Sequence, residues 1–352
     1  MDPAQRWRVI DTGLRAPEQN AALDRALLEA REAEEIPSTL RFLRYTPAVL
    51  LGALQDCDPL IDAEACRGRA LSVHRRLADG GAFVCDGPHL AWTLYLSKAD
   101  VQWADGRALL KRLCHAAAAG ISALGMDARY RARNEIVVDG RVLAQAGALY
   151  SDEALMFQAV IALDGDPGAR AMLFSLPWTG NDRVAALRRR YTTVHEQLAR
   201  RPDAEALKRN LVEAYESEFA VELRDGELTL SEQARYEVAA REHGVGPAQG
   251  VMPRARLRSA NAVQACAGGS LAACVVFDDA RTIRHVWFAG CSVRPASAVY
   301  DLEAALRDVA VERVAAKVSG FFASRSVRCD GCVPGDFAAV VRRAVDQPLL
   351  AR

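Results

Sequence analysis

The spacing of apolar residues in the first half of the chain predicts helices packed on a sheet. Pro17 opens a segment with Leu23, Leu27 and Ala30 on one face, which predicts an amphipathic helix to about Glu35. A second helix, apolar at every fourth position, is predicted from about Trp103 to Leu124. Predicted strands are Leu40–Tyr45, Ala48–Gly52, Val73–Arg75, Ala82–Cys85, His89–Leu96, Ala128–Arg131, Glu135–Val138, Val142–Leu149 and Leu155–Leu163. The pattern predicts an α+β (mixed α/β) fold with a mixed sheet flanked by helices.

In the second half of the chain the sequence pattern changes at two points. Asn181 to His243 is helical and charged. We expect its arginine run, Arg188 to Arg190, on a solvated face, and the alternative is a docking site for an acidic carrier domain. His243–Arg256 concentrates glycine and proline and is the predicted linker, which divides the chain into domains 1–245 and 246–352. Beyond it the pattern predicts strands Ala262–Ala267, Ser270–Phe277 and Thr282–Phe288, and helices Ser297–Asp308, Val311–Ala323 and Asp336–Asp346.

Composition narrows the class of protein. The 352 residues include 45 basic and 45 acidic residues, so no net field favours nucleic acid or an anionic membrane as a partner. No apolar run reaches transmembrane length and the first residues lack a secretory core, so we expect a cytoplasmic protein. Nine cysteines, an odd number, favour reduced thiols. Cys329 and Cys332 form a lone CxxC without a second cysteine pair or nearby histidines, so no metal site is predicted.

Two segments carry candidate chemistry. In VHRRLADGGAFVCDGPHLAW (Val73 to Trp92), Arg75 and Arg76 lead into Gly80 and Gly81, and paired cations with exposed backbone N–H groups suit an anion. The alternative is a glycine turn beside two solvated arginines. In NEIVVDGRVLAQAGA (Asn134 to Ala148), the Asp139-Gly140 pair predicts a tight hairpin turn between two strands.

These segments resemble those of lipoate–protein ligases. WRVIDTG near the start, a helix with Asn20 and Asp24, the strand TPAVLLGALQ, the RRLADGG loop and the NEIVVDGR hairpin follow in the order of that family. The resemblance implies a class II aminoacyl-tRNA synthetase/biotin-ligase-like catalytic domain. From about Leu257 to Gln347 it implies a small α+β accessory domain.

The resemblance also implies an activity and its participants. It implies ATP-dependent attachment of lipoate or octanoate, through an acyl-adenylate, to a lysine of a lipoyl carrier protein or E2 lipoyl domain, with ATP and Mg²⁺ as cofactors. A catalytically complete ligase is a further possible partner. The positions implied to bind substrate are Arg75, Arg76, Asp79, Gly80, Gly81, His89, Asn134, Asp139 and Gly140.

The chain departs from the family pattern at its catalytic positions. Asp79 replaces the first glycine of the loop; aspartate tolerates left-handed geometry, but its charge near a phosphate costs about 1–4 kcal/mol unless an arginine neutralises it. Val142 stands at the family's catalytic lysine, and Gln145 stands where the family has glycine. Arg141, next to Val142, is expected to face away unless a bulge shifts the register. We therefore expect impaired adenylation.

Three functions stay open from the sequence. The first is an active ligase, and the second is a noncatalytic relative that binds lipoate, a lipoyl carrier or a true ligase. The third is an acyltransferase that uses Cys85, a thiol near the arginine loop whose alternative role is a small buried hydrophobe. Related octanoyltransferases and amidotransferases use a cysteine elsewhere, and this chain has none at Tyr130–Asn134 or Leu173–Pro177.

Overall fold

The computed structural model describes residues 5–53, 61–101, 105–132, 134–151, 153–173, 180–243, 257–290 and 292–346. Most of the predicted linker, residues 244–256, and the predicted helix start at Trp103 lie outside these ranges. No helix in the described ranges is both long enough and apolar enough to cross a bilayer.

The N-terminal part is built on a mixed eight-stranded sheet. Its strands run in the order β11-β1-β2-β6-β10-β9-β8-β7, and a three-stranded sheet, β4-β3-β5, packs beside it. β1 runs parallel to both of its neighbours, and the strands from β2 to β7 pair antiparallel. The strands are β1 (Gln5–Arg15), β2 (Thr39–Tyr45), β3 (Ala48–Leu51), β4 (Ser72–Arg75), β5 (Phe83–Cys85), β6 (His89–Ser97), β7 (Arg129–Arg131), β8 (Glu135–Val138), β9 (Arg141–Tyr150), β10 (Ala154–Ala162) and β11 (Val221–Asp225).

Helices cover both faces of the large sheet. They are α1 (Pro17–Glu32), α2 (Ala63–Gly68), α3 (Lys98–Val101), α4 (Gly106–Ser122), α5 (Gly180–Arg190), α6 (Val194–Leu198), α7 (Ala204–Phe219) and α8 (Leu230–His243). The apolar stripes of α4 and α7 pack on one face, in the largest core cluster, and α1 packs on the other. The sheet is therefore buried on both sides.

Strand β10 shows how this burial places polar groups. Its residues alternate between the two faces, and Phe157 and Ala159 join the core under α4 and α7. On the opposite face Met156 packs under α1 and Val160 packs under the small sheet. Gln158 lies between them and is 0% exposed, so it is a fully buried polar side chain.

The C-terminal part has a separate hydrophobic core, which contains side chains between residues 262 and 345. A four-stranded meander, β12-β13-β14-β16, and a two-stranded ladder, β15-β17, pack against three helices. The elements are β12 (Arg258–Cys266), β13 (Gly269–Phe277), β14 (Thr282–Ala289), β15 (Ser292–Arg294), α9 (Ser297–Ala305), β16 (Val309–Ala310), α10 (Val314–Ala323), β17 (Arg328–Asp330) and α11 (Pro334–Asp346). The division into domains at residue 245 stays a prediction.

The predicted α+β fold with a mixed sheet is confirmed, and most predicted elements agree with the structure to within a few residues. β11, inside the segment predicted as helical, was missed: its Val221 and Leu223 are a short alternating pair beside charged residues. The expectation for the arginine run was wrong at Arg190. Its side chain is 6% exposed and pairs with Glu303 of α9, whereas Arg188 is exposed and pairs with Asp166.

Candidate functional site

The glycine loop lies directly on strand β9. Gly80 has φ of +124°, and a Cβ there would lie 2.7 Å from the carbonyl oxygen of Ala146. A Cβ on Gly147 would lie 1.5 Å from the carbonyl oxygen of Asp79, so both positions require glycine. Gly80 therefore carries the positive φ of the loop, and Asp79 does not use the left-handed geometry that aspartate tolerates. Loop and strand form a tight corner, which we call the loop corner (residues 75–81 with 145–148).

Arg76 is the main charged group of the loop corner. It is 7% exposed, and its guanidinium donates to the carbonyl of Gly81 at 2.9 Å and to Gln158 Oε1 at 3.2 Å. Its Nε is buried without a hydrogen-bond partner in the described structure. Burial lowers the pKa of Arg76, partly offset by Tyr45 and Asp79. A buried cation whose hydrogen-bond partners are neutral groups and whose Nε–H is not used favours an anionic ligand.

Arg75 and Asp79 have different surroundings. The Arg75 guanidinium donates to the carbonyls of Gly52 at 3.2 Å and Ala53 at 3.1 Å. Asp79 Oδ1 lies 3.1 Å from the position that a Cβ on Gly52 would take, and the Asp79 charge acts on Arg76. Arg75 thus stabilises the backbone at the end of β3, and Asp79 adds negative charge to the loop corner.

A buried polar network lies behind the corner. Arg41 Nη1 donates to Asp24 Oδ1 at 2.6 Å, and both side chains are almost fully buried. Gln158 Nε2 donates to Asp24 Oδ2 at 3.1 Å, and Tyr95 also donates to this carboxylate. Since Gln158 accepts from Arg76, a chain of hydrogen bonds joins the corner to helix α1. It holds the Arg76 head group in a fixed position.

Val142 and Gln145 lie on β9 next to this loop. In the β8–β9 ladder Ile136 pairs with Ala144 and Val137 pairs with Val142, so Leu143 is an extra residue in a bulge. Leu143 and Ala144 join the core under α4, whereas Val142 is buried outside that cluster and its carbonyl accepts from Thr192 N. The bulge therefore shifts Val142 to the same face as Gln145. Gln145 Nε2 lies 2.9 Å from the position of a Cβ on Gly81.

No lysine of the chain lies beside Val142, the position at which the sequence predicted the family's lysine to be replaced. Arg141 points out of the corner and pairs with Glu196 at 2.5 Å. The chain has four lysines, Lys98, Lys111, Lys208 and Lys317, all within the described ranges. Lys98 follows Ser97, which pairs with Ala154, whereas Ala144 pairs with Ile161; seven residues along β10 correspond to roughly 23 Å. Lys111 and Lys208 lie on α4 and α7, on the opposite face, and Lys317 lies on α10.

The side chains of Cys85 and His89 are buried and have structural roles. Cys85 is 2% exposed within the small-sheet core, and burial raises the pKa of its thiol far above the ordinary range. This geometry contradicts its role as an accessible nucleophile. His89 Nε2 accepts from Tyr45 N at 3.0 Å, its Nδ1 lies 2.8 Å from Gly87 O, and burial lowers its pKa. Both nitrogens thus serve the backbone, and neither is available to a substrate.

The β8–β9 hairpin contacts the C-terminal part. Asp139 and Gly140 have φ of +50° and +74°, the predicted two-residue turn. A Cβ on Gly140 would lie 2.5 Å from Ser297 Cβ, and Arg307 donates to Asn134 Oδ1 at 3.2 Å. Asp139 and Gly140 therefore lie at the contact between the two parts. Asn134 lies there too, but its Nδ2 also donates to the Ala146 carbonyl at 2.6 Å, so it joins the loop corner to the C-terminal part.

The sequence also missed residues of the site. Gln158 and Tyr45 were not singled out, although Gln158 interrupts the apolar run LMFQAVIA. Asn20 and Asp24, four residues apart, fall on the same helical face as Leu23 and Leu27, where a polar pair indicates a buried partner. Arg41 is that partner.

Comparison with known proteins places this geometry in a family. A family model described as the lipoyl protein ligase A/B catalytic domain matches residues 16–216. The chain belongs to this family. The octanoyltransferase LipM of Moorella thermoacetica is 28% identical over 255 residues, which are 66% of this chain and 93% of that protein. LipM of Geobacillus kaustophilus is 26% identical over 265 residues, 67% of this chain and 94% of that protein.

Solved structures of the lipoyl protein ligase family share the fold. A bipartite lipoate protein ligase from Thermoplasma acidophilum aligns with a TM-score of 0.61 at 16% identity, over 70% of this chain and 100% of that chain. P. falciparum LipL1, in complex with lipoate, aligns with a TM-score of 0.53 at 12% identity, over 96% of this chain and 98% of that chain. The lipoate ligase-like fold of the catalytic domain predicted from the sequence is confirmed.

The loop corner is a poor match for ATP with Mg²⁺. A triphosphate requires several cations or free backbone donors, whereas Arg75 is directed at carbonyl groups and Asp79 carries the same sign as a phosphate. Among the described residues of the corner, Arg76 is the one buried cation with an unused donor. Its surroundings fit a single anionic or carbonyl head group better than a polyphosphate.

Proposed function

We propose that this member of the family acts in lipoyl or octanoyl transfer as an acyl-binding protein, and that it does not itself form an acyl-adenylate. Arg76 carries the proposal: a buried guanidinium with an unused Nε, at a corner without a lysine. In this role Arg76 binds the carboxylate or carbonyl end of the acyl group. Leu77 and Leu149, partly buried apolar side chains of the adjacent core cluster, offer surface for the chain.

The acyl group and the partner follow from the family. The matched relatives are named octanoyltransferases, so an octanoyl or lipoyl group is the ligand we propose. Its source or destination is a lipoyl carrier protein or E2 lipoyl domain, and a catalytically complete enzyme supplies the chemistry. ATP-dependent ligation by this chain, with ATP and Mg²⁺, is the rival function. The Cys85 transferase is not proposed, because that thiol is buried.

Arg76→Met should weaken octanoate binding by about 10–100-fold, because one or two charge-assisted hydrogen bonds contribute about 1.5–3 kcal/mol. The variant should unfold at a similar urea concentration without ligand, since methionine removes the cost of burying a cation whose hydrogen-bond partners, Gln158 and the Gly81 carbonyl, are neutral groups. Calorimetric titration of octanoate into both proteins, beside urea unfolding, measures the two effects. A fall in binding without a fall in stability distinguishes a ligand contact from a packing defect.

Two comparisons sharpen this experiment. Arg31 is also a buried arginine, 8% exposed, that donates to a carbonyl and has an unpartnered Nε, but it lies in α1 away from the corner. Arg31→Met should therefore leave octanoate affinity unchanged. Octanamide, which lacks the negative charge, should bind the unaltered protein more weakly than octanoate. Unchanged affinity in Arg76→Met would exclude Arg76 as the head-group ligand, and equal affinities for acid and amide would exclude a contact that depends on the carboxylate charge.

A further inference from the structure

Two loops of the C-terminal part are held together by a pair of glycines. Gly268, in the turn after β12, donates its N–H to the carbonyl of Gly331 at 2.9 Å. A Cβ on Gly268 would lie 2.6 Å from Gly331 Cα, and a Cβ on Gly331 would lie 2.4 Å from Gly268 Cα. Only glycine permits this approach at both positions. The contact fixes the end of β12 against the loop between β17 and α11.

This contact brings three metal-ligating side chains together. The Sγ atoms of Cys266 and Cys332 and a carboxylate oxygen of Asp336 all lie within 4.8 Å of one another. Cys332 is 9% exposed, and the other two side chains are partly buried. Asp336 Oδ2 accepts from Val333 N at 2.8 Å, at the start of α11, so the carboxylate is held in place. The sequence spacing could not show this group, because Cys266 is more than sixty residues from the CxxC pair.

The chemistry of the group suits a thiophilic divalent cation. Zinc binds thiolates at about 2.3 Å and carboxylates at about 2.0–2.2 Å, so two sulfur ligands of a tetrahedral site lie roughly 3.8 Å apart. The three ligand atoms, all within 4.8 Å of one another, are grouped on this scale. Burial and the neighbouring Cys332 and Asp336 raise the pKa of Cys266 to about 11. A bound cation would reverse this effect, because it stabilises thiolates and carboxylates together.

We propose that Cys266, Cys332 and Asp336 bind one Zn²⁺ ion that joins the β12–β13 hairpin to the start of α11. Each thiol loses its proton to solvent on binding, and water fills the fourth position. Two soft sulfur ligands favour zinc over magnesium or calcium. Cys332 and Phe337 belong to the core of the C-terminal part, so the ion stabilises that core. The site lies outside the loop corner, so its failure would leave the acyl-binding proposal untouched.

Zinc content of the full-length protein tests the proposal. Protein purified with a non-chelating reductant is loaded with zinc, freed of excess metal and measured by mass spectrometry, and cobalt replaces zinc to give a thiolate-to-metal absorption band. We expect about one zinc per chain, and an affinity lower by about 100-fold in Cys266→Ser, Cys332→Ser and Asp336→Asn, since each ligand carries a share of the binding free energy. Asp336→Asn keeps an oxygen that can accept from Val333 N, which preserves the helix start.

Cys329 provides the matched control. It belongs to the same CxxC pair, but its sulfur is not among the three atoms grouped within 4.8 Å. Cys329→Ser should therefore keep its zinc and its cobalt spectrum. A chelator should lower the unfolding temperature of the unaltered protein, and added zinc should restore it. No bound zinc in the unaltered protein, retention of zinc by all three ligand variants, or its loss in Cys329→Ser would overturn the assignment.

Discussion

Glu135→Gln should lower the free energy of unfolding by roughly 3–5 kcal/mol. Glu135 is 1% exposed, and it accepts hydrogen bonds from Arg131 Nε at 2.9 Å and from Arg307 Nη2 at 2.6 Å. Arg307 belongs to the C-terminal part, so the carboxylate joins the two parts of the chain. Neutral glutamine would leave Arg307 without this anion and Arg131 with only the more distant carboxylate of Asp301, at 3.7 Å, which is the costly case. Urea unfolding of the variant and the unaltered protein near neutral pH measures the loss.

An exposed pair and the pH dependence provide the controls. Glu196 pairs with Arg141 at 2.5 Å but is 47% exposed, so Glu196→Gln should cost below about 1 kcal/mol. Burial alone would raise the pKa of Glu135, but Arg307, Arg131 and Arg190 outweigh it and hold that pKa well below its usual range. The stabilisation is then complete above about pH 4.3, the unfolded value, and is lost progressively as the pH falls toward the depressed folded value.

The gap in stability between the unaltered protein and Glu135→Gln should accordingly shrink below about pH 4.3. A gap that does not change with pH would contradict the role of the ionised carboxylate. Equal losses of unfolding free energy for Glu135→Gln and Glu196→Gln would show that burial does not strengthen the Glu135 ion pairs.

Asp24→Asn should also cost roughly 3–5 kcal/mol, because it removes the counter-charge of a fully buried arginine. Arg41 is 0% exposed, and its other hydrogen bonds go to the neutral groups of Asn20 and Thr12. Asparagine keeps the shape and one acceptor oxygen, so the loss reports charge rather than packing. Since Asp24 also fixes Gln158, which accepts from Arg76, octanoate binding should weaken in the same variant.

The same substitution at an exposed pair is the control for Asp24. Asp166 pairs with Arg188 at 2.5 Å, and its side chain is 42% exposed. Asp166→Asn should cost below about 1 kcal/mol and leave octanoate binding unchanged. Thermal and urea unfolding of both variants compare the two sites. Comparable losses at Asp24 and Asp166 would contradict the description of the Asp24–Arg41 pair as a desolvated ion pair.

The fold was predictable from the sequence because its strands and helices carry strong local patterns. The β8–β9 hairpin followed from Asp139-Gly140, whose positive φ values are those that such a turn requires. The bulge at Leu143 was not predictable, because apolar residues on both sides of it hide the change of register. That bulge decides on which face of the sheet Val142 lies. The prediction of what the side chain at this position faces therefore depended on the bulge.

The candidate site was predictable only where its residues are neighbours in the chain. Arg75, Arg76, Gly80 and Gly81 were found as one motif, whereas Gln158 and Arg41 reach the site from distant strands. The break that Gln158 makes in its apolar run does not show which residue it contacts. For Cys85 the structure agrees with the alternative of a small buried hydrophobe, because nearness to the arginines in sequence does not give access to solvent. Cys266 and Cys332 could not be paired from the sequence either. They are far apart in the chain, and only the fold brings their sulfur atoms together.

Pyrophosphate release from ATP in the presence of lipoate or octanoate tests the proposed function most directly. It is measured with the unaltered protein, with Arg76→Met as the reference, and with calorimetric octanoate binding in the same samples. The account predicts that octanoate binds without ATP and that pyrophosphate release does not exceed the level of Arg76→Met, because no lysine lies at the corner and no cysteine of the described ranges offers an accessible thiol there. Release by the unaltered protein at an ordinary enzymatic rate, about 1 per second or faster, would contradict it and identify the chain as an active ligase.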